Sequence, residues 1–347
     1  MYKIKEIKSK EIWNNFVINN NFEFYSFLSS WEWTEFQELA GKIVFKFGIY
    51  DEKNNLVGII PLIKNVAKRG TYLFCPHTPL IINKLDFFEV LQAILPELKS
   101  FAINEKSDFI RFNSPVKNTI SNKKSFEKLG FINAPMHEHA EDTHLLDLKP
   151  DLEVLFSNIK KSDRYYINRA EKEGVKIVIG NNRDQKEKLI EMHINHSKKV
   201  GYHSFSPEFI ENLYNVFGEN ITTISTNYNG ITESILMTIR FGKTCVYYVA
   251  SSEIVNHKFS PNYLCQWEAI KNAKENNCEI YNFWGVSPDD NPKHPIAGVS
   301  KFKRKFAGFD YSLLHAQDLP ISKKYWINYL VESIRRIKRG YYYKKPE

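Results

Sequence analysis

NYNGITESILMTIRFGKTCVYYVASS, residues 227–252, is the stretch from which the fold can be read. A turn, Asn227 to Gly230, opens it. Two runs rich in β-branched and aromatic residues follow, ITESILMTIRF from Ile231 and KTCVYYVASS from Lys243, and both read as strands. Next comes a helical run with Tyr263, Trp267, Ile270 and Ala273 on one face. The strand-like EIYNFWGV (from Glu279) and a short FKRKFAGF (from Phe302) complete the series.

The first half repeats that order. LVGIIPLI (from Leu56) follows the turn DEKNN, and GTYLFCPHTPLII (from Gly70) is the second strand region. A helix is predicted with Phe87, Leu91, Ile94, Leu98 and Phe101 along one side. DFIRF (from Asp108) and FEKLGF (from Phe126) close the copy. Each half thus reads as turn, strand, strand, helix, strand and a short helix ending in a Gly-Phe step. Two copies of one mixed α/β unit account for this better than one large sheet. Between them, strand-like THLLDL (from Thr143) leads into a helix cationic at Lys160, Lys161, Arg164, Arg169 and Lys172. That face is either solvated or a basic rim for phosphates or a charged acceptor.

A chain of 347 residues exceeds the usual single core, so two domains are expected on length as well. Apolar content of 43% is ample for packed interiors. MYKIKEIKSKEIW lacks the apolar segment of a signal peptide, and no run of uncharged apolar residues is long enough to span a membrane. Cys75, Cys245, Cys265 and Cys278 stand singly, without CxxC spacing, and read as buried free thiols of a reducing cytoplasm. The net charge of +8 is uneven: Ile321 to Glu347 holds eight Lys or Arg against two Glu. The same tail carries Trp326, Ile327, Leu330, Val331, Ile334 and Ile337 at helical spacing. A terminal helix docked by its apolar stripe, with a solvated basic face, is the plain expectation. Attraction to tRNA phosphates or anionic lipid heads is the alternative.

HEHAEDTH, His137 to His144, gathers three histidines and three acids, but an irregular linker gives no reason for metal ligands to converge. His193 and His196 lack the Glu of an HExxH pair, so no metal is expected. GxSxG, Walker and GxGxxG patterns are absent, as is a Gly-rich turn opening a helix that would hold the pyrophosphate of an acyl-CoA. Tyr247, Tyr248, Tyr263, Trp267, Tyr281, Phe283 and Trp284 concentrate aromatics in the second copy, mostly as core. Tyr247 and Tyr248 are adjacent on a strand, so one must face away from the buried side. In KFKRKFAGF, Phe302 and Phe306 at i, i+4 would anchor a short helix and leave Lys301, Arg304 and Lys305 exposed. Lys303 need not share their environment.

FLSSWEWTEFQ (from Phe27), DRYYINRAEKEGVKI (from Asp163), PNYLCQWEAIKNAKENNCEIYNFWGV (from Pro261) and KFKRKFAGF together resemble the FemABX family. These are peptidyltransferases that carry an amino acid from aminoacyl-tRNA to the stem peptide of a peptidoglycan precursor. The resemblance spans nearly the whole chain and implies a tandem pair of GNAT-like domains, in a compact form without the helical arm. It implies a first domain over residues 1–148 joined by 312–347, and a second over 149–311. It also implies that Lys303, after Phe302 in the FK pair, stabilises the oxyanion of aminoacyl transfer.

Tyr247 or Tyr248 would position the substrate, with Phe302, Tyr263 and Trp284 lining its site. Trp33, Gln37, Arg111 and Asn113 would contribute from the first domain, and Lys160, Lys161, Arg164, Lys301, Arg304 and Lys305 would meet tRNA or lipid phosphate. No cofactor is implied beyond aminoacyl-tRNA as co-substrate. The chain departs from the compact members' Arg-Phe-Asp-Pro pattern, since Asn113 stands where the acid would and cannot act as a base. Gln37 and Phe205 also replace residues that hold a nucleotide phosphate in a compact relative. A lipid-linked acceptor therefore fits better than a UDP-linked one, with the basic tail against the inner membrane face. An acyl-CoA N-acyltransferase and a noncatalytic tRNA- or lipid-binding relative are the rival readings. Which amino acid is transferred, which stem residue accepts it and the oligomeric state are not legible in the sequence.

Overall fold

A computed structural model describes residues 2–200, 205–253 and 259–347. The chain forms two compact units. One comprises Met1–Thr143, Gly285–Gly298 and Tyr311–Glu347; the other comprises His144–Trp284 and Val299–Asp310. The segment after the last strand of the second repeat thus belongs to the first unit, which the sequence did not reveal. Its ties explain this: the Val286 N–H donates to the Asp142 carbonyl (2.9 Å), and the His294 ring meets Tyr342 edge-on at 5.1 Å.

Along the chain the elements of the first half are β1 (Lys3–Glu6), α1 (Lys10–Asn19), α2 (Trp31–Leu39), β2 (Ile43–Tyr50), β3 (Leu56–Ala67), β4 (Gly70–Pro76), β5 (Leu80–Ile81), α3 (Phe87–Asn104), β6 (Phe109–Asn113), α4 (Ile120–Lys128), β7 (Ile132–Asn133) and β8 (Asp142–Asp147). Then come α5 (Leu152–Asn158), α6 (Lys161–Lys172), β9 (Lys176–Gly180), α7 (Arg183–Val200), α8 (Pro207–Phe217), β10 (Ile221–Tyr228), β11 (Ile231–Phe241), β12 (Thr244–Ser252), α9 (Pro261–Glu275), β13 (Ile280–Gly285), α10 (Ala297–Lys303), β14 (Phe309–Ser312), β15 (Gln317–Pro320) and α11 (Tyr325–Arg339). One sheet runs β1-β2-β3-β4-β6-β15-β7, with β5 also on β3. The other runs β14-β8-β13-β12-β11-β10-β9.

The repeat is visible in the pairing. β3 and β4 are antiparallel, and β6 lies parallel to β4 from Tyr72↔Phe109 to Pro76↔Asn113. β11 and β12 are antiparallel, and β13 lies parallel to β12 from Thr244↔Ile280 to Val246↔Asn282. Parallel neighbours cannot be joined by a tight turn, so α3 and α9 supply the crossovers. Asp86 caps α3 by accepting from the Phe88 and Glu89 N–H groups, and Leu91, Ile94 and Leu98 point from it into the first core. Tyr263, Trp267, Ile270 and Ala273 are all buried on α9, as the spacing predicted. Pro61 sits inside the long strand β3, where a missing N–H is normally excluded. Along that side β3 pairs β5 only at Gly58 and Ile59, and β4 only from Ile63 onward, so Pro61 falls in the gap between the two ladders.

The terminal helix reverses the expectation. Its polar side docks: Glu332 accepts from Arg111 (2.8 Å), Tyr325 donates to Asp318 (3.0 Å), and both Tyr325 and Asn328 are buried. The apolar stripe faces outward, with Trp326 55%, Ile327 58%, Leu330 61%, Ile334 46% and Ile337 72% exposed. The reason lies in β15, which places Asp318 opposite Arg111 and so gives the helix an ionic seat. All four cysteines are buried and free. Among the described residues no helix is long and apolar enough to cross a membrane.

Candidate active site

The run KFKRKFAGF closes the second unit. α10 ends at Lys303, a single 3-10 turn covers Arg304–Phe306, and the backbone reverses at Ala307 (φ 62°) and Gly308 (φ 93°) before β14. Only glycine fits at 308, because a Cβ there would lie 2.2 Å from the Leu145 carbonyl oxygen. His144 pins the turn, with one ring nitrogen 2.7 Å from Asp310 Oδ1 and the other on the Ala307 carbonyl. Phe302 and Phe306 meet at 5.3 Å, and Tyr263 packs edge-on against Phe302 at the same distance. This is the i, i+4 anchor expected from the sequence.

With both phenylalanines seated, Lys303 is drawn inward and is only 6% exposed. Its Nζ lies 5.6 Å from the centre of the Tyr247 ring. Burial pulls its ammonium down to about 7. The strand beside it is irregular: Met237 pairs Val249 but Thr238 pairs Tyr247, so Tyr248 is the extra residue of a β-bulge. The bulge separates the two tyrosines. Tyr247 packs against the second core, while Tyr248 lies against Phe205 (5.6 Å) and Trp284 (5.9 Å). Burial pushes both phenols up, so each stays protonated and able to donate a hydrogen bond.

Trp284 holds a left-handed backbone (φ 65°), which a bulky residue adopts rarely, and its N–H donates to Asn282 Oδ1 at 2.7 Å. Asn282 is fully buried opposite Val246, and among the described residues its Nδ2 has no hydrogen-bond partner. An orphaned buried donor beside the tyrosines is a group awaiting an acceptor. Nothing in the sequence marked it, because an asparagine in a strand is usually a turn or edge residue.

In the first unit, Arg111 is reassigned. It is 2% exposed, and its guanidinium grips Asp318 through two bonds (2.8 and 2.9 Å) and Glu332 through a third (2.8 Å). Burial opposes the charge, but Asp318 and then Glu332 outweigh it and keep the group protonated. Arg111 thus serves as a structural strut within its unit. Asn113 and Trp33 converge on His139. The Asn113 carboxamide accepts from the His139 N–H (3.3 Å), and Trp33 meets that ring edge-on at 5.6 Å. Asn113 Nδ2 and Trp33 Nε1 are both buried donors without partners among the described residues. Gln37 is buried one turn further along α2. Burial, then the neighbouring His77, keeps the His139 ring neutral. His139 was missed in the sequence because it sat among histidines of other roles.

One of those roles also needs correction. His137 and Glu141 do converge, with His315 brought in by the C-terminal segment, and their ligand atoms lie within 4.8 Å. Hydrogen bonds inside the protein occupy the group: His315 meets Glu141 Oε2 (2.7 Å) and the Ala134 carbonyl (2.8 Å), and the Ala316 N–H donates to Glu141 Oε1 (2.7 Å). The basic residues divide. Lys160, Lys161 and Lys301 are exposed. Arg164 Nη1 instead donates to the Ser157 carbonyl (2.7 Å), and Arg304 Nη2 is 2.8 Å from Asp310 Oδ2. Lys305 is half-buried, donates to the Tyr263 hydroxyl and lies 3.4 Å from Asp163. Arg304 and Lys305 are therefore engaged within the unit rather than presented to solvent.

The fold is that of tandem GNAT-like proteins. A tandem GNAT protein of the clavulanic acid biosynthesis pathway matches with a TM-score of 0.55 at 8% identity, over 93% of this chain and 99% of that one. FemX matches with a TM-score of 0.82 at 15% identity, over 95% of this chain and all of that one. Residues 222–333, which include Lys303 and both tyrosines, match the FemAB family model. Aminoacyltransferase FemA of Staphylococcus epidermidis is 35% identical over 69 residues, which is 20% of this chain and 16% of the relative. The chain thus spans about a sixth of that relative's length, and its resemblance to the FemABX family is borne out over residues 222–333 by sequence and over most of the chain by fold.

Proposed function

We propose that this chain is an aminoacyltransferase of peptidoglycan bridge synthesis, moving an amino acid from aminoacyl-tRNA to the stem peptide of a lipid-linked precursor. The observation that carries the reading is the coincidence of the FemAB-family segment with a buried, aromatic-flanked lysine whose proton affinity is poised near neutrality. In the proposed reaction the neutral stem-peptide amine attacks the ester carbonyl of the aminoacyl-tRNA. A C–N bond forms and the carbonyl oxygen becomes an oxyanion. Lys303 in its charged form stabilises that oxygen more than the ground-state ester, because the charge exists only in the transition state. Collapse breaks the C–O bond, and the ribose hydroxyl leaves with the proton given up by the amine. Tyr248 and the orphaned Asn282 amide supply donors to position the ester.

The test is transfer of labelled amino acid from charged tRNA to purified lipid-linked precursor, with the UDP-linked precursor and acyl-CoA as parallel substrates. Transfer to the lipid-linked acceptor alone is expected. Acetyl transfer from acyl-CoA without any tRNA-dependent product sinks the proposal.

A further inference from the structure

The polar side of α11 is tied to its own unit through Glu332 and Tyr325, so its apolar side is left outermost. Exposed apolar residues are unremarkable singly, but five large ones on one helix face are not. Around that stripe stand Lys323 and Lys324 at the helix start, and Arg335, Lys338 and Arg339 toward its end, all exposed. The acids of the tail do not oppose them, since Glu332 is engaged by Arg111 and Glu347 pairs with Lys344 (2.5 Å). Trp326 lies at the N-terminal end of the stripe, half-exposed, with an amphipathic ring suited to a headgroup layer.

We infer that α11 is a membrane-surface helix that lies flat on an anionic bilayer. Trp326, Ile327, Leu330, Ile334 and Ile337 enter the acyl boundary while the flanking lysines and arginines meet lipid phosphate. Charge complementarity selects this occupant. A protein partner would cover the apolar stripe without needing an acid-free rim of cations, whereas an interfacial helix requires both. A shallow apolar face also suits a two-signal attachment, in which neither the stripe nor the charge holds the protein alone. The inference rests on α11 and not on the proposed chemistry, so its test uses no transferase assay.

The experiment is co-sedimentation of the full chain with vesicles of phosphatidylcholine, with and without phosphatidylglycerol. Wild type is expected to bind the anionic vesicles at least roughly tenfold more tightly than neutral ones, with the preference falling as salt rises. The variant Ile327→Gln/Leu330→Gln/Ile337→Gln should lose at least about tenfold in affinity. These side chains are exposed, so its thermal melt should match wild type and separate lost binding from lost folding. Lys338→Gln/Arg339→Gln should weaken binding and flatten the salt dependence. Equal binding by the triple variant overturns the inference. So does a wild-type dimer that the triple variant converts to monomer while neither binds vesicles, because the stripe would then be a contact between copies.

Discussion

Arg111 and Lys303 are both buried cations, one in each repeat unit, and the two units treat them in opposite ways. Arg111 is the third residue of β6, faces Asp318 of β15 directly and takes Glu332 as well; its charge is fixed. Lys303 lies beside an aromatic ring, and burial alone is enough to bring its proton affinity to about 7. A fixed charge is useful for holding elements together. A charge that can be gained or lost near neutrality is useful for chemistry. Proton affinity therefore separates these two cations better than exposure does, since both are almost completely buried.

The largest effect should come from breaking the fixed pair. Arg111→Met leaves Asp318 buried without its partner and frees Glu332, and should cost about 3–5 kcal/mol of unfolding free energy. Denaturant titration measures this. Adding Asp318→Leu to the same chain should restore part of the loss, because the stranded carboxylate is removed. A small loss in the single variant would show that Arg111 is not the strut described here.

Replacing Lys303, the proposed catalytic cation, should do the reverse. Lys303→Met should lower transfer by about 10²–10³, yet stabilise the fold. The sign follows from proton affinity. The folded value, about 7, lies below the ordinary value of 10.5. The unfolded chain therefore holds the proton more tightly, and the wild-type penalty is complete below pH 7 and fades as pH rises toward 10.5. At roughly 1.4 kcal/mol per tenfold change in proton affinity, the gain in the variant amounts to several kcal/mol at pH 6 and little at pH 10. Melts of both proteins across that range test this, and a pH-independent difference contradicts the burial argument. Unchanged transfer would remove Lys303 from the chemistry while leaving the fold assignment intact.

These two residues also mark how far the sequence could be read. The repeat was legible because its parts are local: hydrophobic runs, the single face of α9, and the i, i+4 pair Phe302 and Phe306 each signal within a few residues. The role of Arg111 was not legible, since Asp318 lies 207 residues away. The same distance hid the orientation of α11. Amphipathic spacing says that a helix has two faces, but only the ionic seat on β15 decides which one the protein keeps. The convergence of His137, Glu141 and His315 failed to show for the same reason. Lys303 stood out through resemblance alone; its composition is that of any basic run.

The smallest expected effects lie at the neighbours of Lys303 and sharpen the contrast between a cation that holds structure and one proposed to act in transfer. Lys305 is half-buried and engaged with Tyr263 and Asp163, so Lys305→Gln should cost about 1 kcal/mol or less of stability. If its work is only to hold the turn, KM for tRNA and its salt dependence should stay put. If phosphate draws Lys305 away from Asp163, KM should rise and the salt slope should fall by about one charge. Lys301 is exposed, so Lys301→Gln is its matched control: stability unchanged, with any effect confined to KM. A drop in kcat from Lys301→Gln would mean that the run acts as one basic surface, and the distinction drawn between its lysines would fail.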